Sequence, residues 1–128
     1  MKKAVKNWLL FAEEDLKTAH ILLREKIYNQ VAFHSQQCAE KSLKALIEKY
    51  QIVPKIHKLP DLLNLCTKLE PKIEIFYEEL IFLDKFYTST RYPFIGGMLP
   101  EGSPTREDAE KSLEIAENIY NFVKKIVK

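Results

Sequence analysis

The sequence predicts an all-α protein: an up-and-down bundle of four long helices plus one short helix, in a single domain spanning residues 1–128. Three observations carry that expectation. Apolar residues recur at spacings of three and four along most of the chain. No segment requires a β-strand, and prolines and glycines fall between the periodic runs.

The first helix covers residues 3–25, with Val5, Trp8, Leu9, Ala12, Leu16, Ala19, Leu22 and Leu23 on one face. Lys6, Glu13, Glu14 and Lys17 lie largely opposite. A break at residues 26–29 leads into a second helix of about six turns ending near Gln51. Pro54 and Pro60 bracket a loop holding His57, and Pro60 suits the first turn of a third helix carrying Leu62, Leu63, Cys66 and Leu69. Pro71 stops it. A fourth helix is expected from about Lys72 to Ser89, with Ile73, Phe76, Leu80, Leu83 and Tyr87 as its inward seam. Tyr77, Ile81, Phe82 and Phe86 give it more apolar surface than one seam requires. The irregular stretch 92–104 holds all three glycines and three of the six prolines. Ser103 and Thr105 are both candidate N-caps for the last helix, with Pro104 and the acids Glu107 and Asp108 near its positive end. Ala109, Leu113, Ala116, Tyr120, Val123 and Val127 form its stripe.

Composition narrows the function. A chain of 128 residues, 46% hydrophobic and 30% charged, has material for one real core. Its net charge is +2 and basic residues are scattered among acids, which argues against binding by bulk phosphate neutralisation. The basic tail Lys124, Lys125 and Lys128 complements the negative end of a final helix. Cys38 and Cys66 fall inside helical patterns without a C-x-x-C, as reduced thiols of a cytoplasmic protein do. The acids Glu13, Glu14 and Asp15 break the pattern of a secretory leader. No apolar run approaches the roughly 20 residues of a membrane span.

The second helix carries the chemistry. Positions 32, 36, 39, 43, 46 and 50 form its inward seam, occupied by Ala32, Ala39, Leu43, Leu46 and Tyr50 but broken by Gln36. A buried amide left without partners costs about 1–3 kcal/mol, so Gln36 is expected to be a structural polar group. Beside it, Gln37, Glu40, Lys41 and Lys44 suggest a polar groove along one wall. Metal chemistry finds no support: no His follows a Glu by three, and neither H-E-x-x-H nor a Cys/His zinc spacing occurs. Gly96-Gly97 lacks the surroundings of a phosphate loop. His57, near Asp61, is expected to fix the start of the third helix as a structural polar group. Arg91 lies one turn past Tyr87, where regular structure ends before Pro93. Its guanidinium can receive a phosphate or carboxylate, or pair internally with an acid such as Glu40.

Together these features resemble a HEPN domain, the small helical family named for higher eukaryotes and prokaryotes nucleotide-binding. The resemblance rests on Ala12-Glu-Glu-Asp-Leu16 with Ala19, on Phe33-His-Ser-Gln-Gln-Cys-Ala-Glu-Lys-Ser-Leu-Lys-Ala45, on His57-Lys-Leu59, on Thr90-Arg-Tyr-Pro93, and on Asp108-Ala109 with Ala116. The second-helix string is the specific part. The resemblance implies a five-helix fold, frequent homodimers, and a link to nucleotides or RNA. It also implies pairing with a minimal nucleotidyltransferase, often as toxin and antitoxin.

Toxic members of that family carry an Arg, four to six residues, then a His, and cleave RNA without metal. Matching Arg91 to that arginine puts Gly96, Gly97 and Met98 where the histidine should stand. Arginine stays charged and cannot act as the base, whereas histidine titrates near neutral pH. The expected function is therefore a non-catalytic binding module, a homodimer that binds a nucleotide, a minimal nucleotidyltransferase, or both. Its ligand residues are Arg91, Tyr92, Gln37, Glu40, Lys41 and Lys44, with no catalytic residue, cofactor or metal. Phe94, Ile95, Met98 and Leu99 either contact a partner or cover the open end of the bundle. The alternative is a metal-independent ribonuclease with an atypical site, using His34 or His57 in place of the missing histidine.

Overall fold

The computed structural model describes residues 1–86 and 103–128. These residues form an all-α bundle: α1 (Lys3–Arg24), α2 (Tyr28–Tyr50), α3 (Leu59–Leu69), a 3-10 helix (Pro71–Phe76), α4 (Tyr77–Asp84) and α5 (Arg106–Ile126).

The α1–α2 turn lets the two longest helices pack antiparallel. The Lys26 amide donates to the Leu23 carbonyl and the Ile27 amide to the Leu22 carbonyl, both at 3.0 Å. That pair of bonds is a Schellman motif, which needs a left-handed residue at its corner. Lys26 supplies it at φ 61°, although a side chain there costs about 1–2 kcal/mol. At the other end, the Lys2 ammonium reaches the Glu48 carbonyl. The last helix is started by Thr105, whose Oγ1 accepts from the Asp108 amide at 3.1 Å while Asp108 Oδ2 accepts from the Thr105 amide at 3.0 Å. This reciprocal box fixes Thr105, not Ser103, as the N-cap.

The main core joins all these elements. Leu43, Leu46, Ile47, Leu59, Leu62, Leu63, Ile73, Leu80, Leu83 and Ile119 are fully buried. A smaller cluster of Ala19, Val31, Ala109 and Leu113 closes the end nearest the α1–α2 turn. The α5 stripe is inward throughout, from Ala109 to Val127.

Three sequence expectations need correction. The fourth helix is not one regular α-helix: its start, Pro71–Phe76, winds as 3-10. The tighter period of three puts Ile73 and Phe76 on one side, so Ile73 enters the core and Phe76 packs edge-on against Phe122 at 5.2 Å. Ile75 is left 69% exposed. Phe86 is not surplus, because it is fully buried against Ala32 with Phe82 beside it. Tyr50, placed on the inward seam, is instead 43% exposed: as the last residue of α2 it projects past the end of the core, under the Lys49 ammonium. Tyr87, Ser89 and the stretch with Phe94, Ile95, Met98 and Leu99 lie outside the described residues.

Among the described residues, no helix is long and apolar enough to cross a membrane. No group of three or more His, Cys, Asp or Glu could hold a metal ion there either. Burial pushes the Cys38 and Cys66 thiols up to about 12, so neither is a nucleophile near neutral pH.

Candidate functional site

One wall of α2 concentrates the polar groups that the rest of the bundle excludes. They form three linked arrangements. Toward α1, the nearly buried Asp15 carboxylate is shared by two α2 side chains. His34 Nδ1 meets Oδ1 at 2.9 Å, and the Lys41 ammonium donates to Oδ2. His34 and Lys41 are two turns apart, so α1 inserts one acid between them.

The second arrangement lies nearer the C-terminal end of α2. Glu40 and Lys44, one turn apart, form an ion pair of 2.9 Å with both side chains only 7% exposed. The Lys44 ammonium also sits 5.3 Å from the centre of the Trp8 ring, a cation–π contact in low dielectric. His57 approaches from the α2–α3 loop, its Nδ1 3.3 Å from Glu40 Oε2 and 3.4 Å from Lys44 Nζ. Lys44 can only donate. His57 Nδ1 therefore accepts from Lys44 in one tautomer and donates to Glu40 in the other, on a ring that is 56% exposed.

The third arrangement is incomplete. Gln36 is fully buried, and its Oε1 accepts from Gln37 Nε2 at 2.7 Å. Among the described residues its own Nε2 has no partner, nor do Glu40 Oε1 and the Ser35 hydroxyl. Gln36 and Glu40 are spaced i, i+4 and share a face of α2. A donor and an acceptor thus stand unsatisfied one helical turn apart, each costing about 1–3 kcal/mol if left bare.

Several sequence-predicted residues are therefore brought together here: Gln36, Gln37, Glu40, Lys41, Lys44 and His57. Glu40 Oε2 is held by Lys44 and His57. His57, expected to fix the start of α3, turns instead to the buried Glu40 carboxylate of α2. The first amide of α3, on Leu59, instead donates to Asp84 Oδ1 at 3.2 Å. Arg91 and Tyr92 lie outside the described residues. Sequence reasoning missed Asp15 and Trp8. Asp15 breaks the apolar face of α1 one residue before Leu16, on the side that carries Ala12 and Ala19, and that register was its signal.

An all-α bundle with a polar second helix defines a class, and comparison places the chain within it. A family model described as the HEPN domain matches residues 5–126, and the chain belongs to that family. The Methanocaldococcus jannaschii protein named "Putative toxin MJ1304" is 32% identical over 137 residues, covering 98% of this chain and 90% of that one. Among solved structures, TT1696 from Thermus thermophilus superposes with a TM-score of 0.82 at 32% identity, over 97% of this chain and 98% of that one. ST0689, an archaeal HEPN homologue, superposes with a TM-score of 0.77 at 36% identity, over the full length of both chains.

Proposed function

We propose that this HEPN-family chain, one domain over residues 1–128, is a non-catalytic binding module. It works as a cytoplasmic homodimer that binds a nucleotide, a minimal nucleotidyltransferase partner, or both, as one half of a toxin–antitoxin-like pair. The observation that carries the reading is the unsatisfied donor–acceptor pair of Gln36 Nε2 and Glu40 Oε1, flanked by the half-buried Gln37 and Lys41. The buried pair holds the wall polar from beneath, the half-buried Gln37 amide offers a donor and an acceptor to a nucleobase edge, and Lys41 with Arg91 and Tyr92 supplies charge and stacking for the phosphate and ring. Two buried free thiols agree with a reducing compartment.

The lack of a histidine at positions 96–98 supports binding over cleavage. Each of the three histidines is already held by a carboxylate: His20 by Glu117, His34 by Asp15 and His57 by Glu40. The ribonuclease reading keeps two supports. His57 is an exposed imidazole backed by a buried acid, the arrangement of a positioned proton shuttle, and a relative carries a toxin name. Purified protein incubated with single-stranded and structured RNA in the presence of chelator separates the two. The binding reading expects intact RNA. Cleavage lost in both Arg91→Ala and His57→Ala would establish the ribonuclease instead.

A further inference from the structure

A second cleft lies on a face that shares no lining residue with the α2 wall. The N-terminal half of α1 and the C-terminal half of α5 enclose an open hollow of about 290 Å³. Leu9, Leu10 and Tyr120 give it an apolar lining, with Leu10 54% exposed to solvent. Lys6, Lys124 and Lys128 stand around it. Among the described residues none of these three ammonium groups forms an ion pair.

Among the described residues the one side-chain carboxylate lining the hollow is already engaged. Glu13 accepts the Tyr120 hydroxyl at 2.9 Å and lies 3.2 Å from the Lys17 ammonium. The Tyr120 bond holds the Glu13 carboxyl below its usual range, and burial with that same bond pushes the Tyr120 hydroxyl up to about 12. Glu13 therefore stays charged and Tyr120 neutral across the physiological range; Glu13 offsets part of the Lys124 charge, which also lies 5.7 Å from the centre of the Tyr120 ring, and Lys6 and Lys128 keep the rim positive around an apolar floor.

Size and shape narrow the occupant. The volume falls at the bottom of the roughly 300–1,000 Å³ typical of small-molecule sites, enough for one or two apolar side chains. The walls are two antiparallel helices, paired at Glu13–Tyr120 and His20–Glu117, so the hollow is a groove with a helical direction. We propose that this groove docks an acidic amphipathic helix of a partner protein, with its apolar anchors on Leu9, Leu10 and Tyr120 and its carboxylates toward Lys6, Lys124 and Lys128. The inference does not depend on the nucleotide reading of α2.

The test is a nuclear magnetic resonance titration of the full chain with a synthetic helical peptide of about four turns, Leu at i, i+4 and i+7 and Glu on the flanks. Shift changes are expected only in the first half of α1 and the last half of α5, and to weaken with added salt. Affinity should fall about tenfold in Leu10→Glu and in the pair Lys6→Glu, Lys124→Glu. Leu10 is exposed, so its variant folds. No response at millimolar peptide would overturn the proposal, as would an equal response to a peptide with every Glu replaced by Lys. Self-association of the chain that is abolished by Leu10→Glu would assign the groove to a second copy and overturn it too.

Discussion

Replacing Lys44 by Met tests the polar wall at its most buried point. The methionine fills the aliphatic volume of the lysine, so the change removes a charge and opens little cavity. Among the described residues it leaves the Glu40 carboxylate, 7% exposed, with His57 at 3.3 Å as its one partner and one oxygen already unpartnered. Removing one member of a buried pair costs about 3–5 kcal/mol. His57, 3.3 Å from the same carboxylate, remains as a partner, so the lower end, about 3 kcal/mol, applies. For a chain of this length each kcal/mol moves Tm by about 3–5 °C, giving a fall of roughly 10 °C. Calorimetry at one fixed protein concentration reads it, since any self-association would make Tm concentration-dependent. The double variant Glu40→Leu, Lys44→Met should return to within about 1 kcal/mol of the parent, because no orphan charge remains. A single variant within about 0.5 kcal/mol of the parent, or a double variant no better than the single, would refute the reasoning.

Other outcomes follow from local geometry. Thr105→Ala removes the reciprocal cap of α5 and should cost about 1 kcal/mol in urea unfolding, with the slope unchanged. Lys26→Gly relieves a side chain at φ 61° in the Schellman turn; chemical unfolding should show it more stable by about 0.5–1 kcal/mol. Both thiols are raised from 9.0 to about 12, so the folded state favours their protonated form. Their contribution is complete below pH 9 and is lost as pH rises toward 12, so the urea midpoint should fall across that window. In the same protein at pH 8, a thiol reagent should label neither cysteine until denaturant is added.

Most of the bundle was legible in the chain because burial and period coincide. The α1, α3 and α5 stripes each keep one face at helical spacing, and Thr105 with Asp108 is a capping signature readable as letters. The fourth helix was harder. Ile73, Phe76, Leu80 and Leu83 satisfy a helical seam, yet a three-residue spacing suits 3-10 equally, and packing on Phe122 decided it. Tyr50 had the right period but sat past the end of the core, which periodicity alone does not mark. Gln36 and its neighbours announced a polar wall, since an amide on an apolar seam requires an explanation. Their partners were less visible. Asp15, Trp8 and His57 reach the wall from other elements, and such long-range pairings are set by helix packing rather than by local sequence.

The central claim is that the α2 wall receives a nucleotide, and one titration tests it most directly. Backbone amide resonances of the full chain are followed as AMP, ATP and GTP are added in turn to millimolar concentration. Saturable shifts centred on Gln36, Gln37, Glu40 and Lys41, and lost in Lys41→Ala, are the predicted result. Shifts that gather on another face, or spectra that stay unchanged with all three nucleotides, contradict the account.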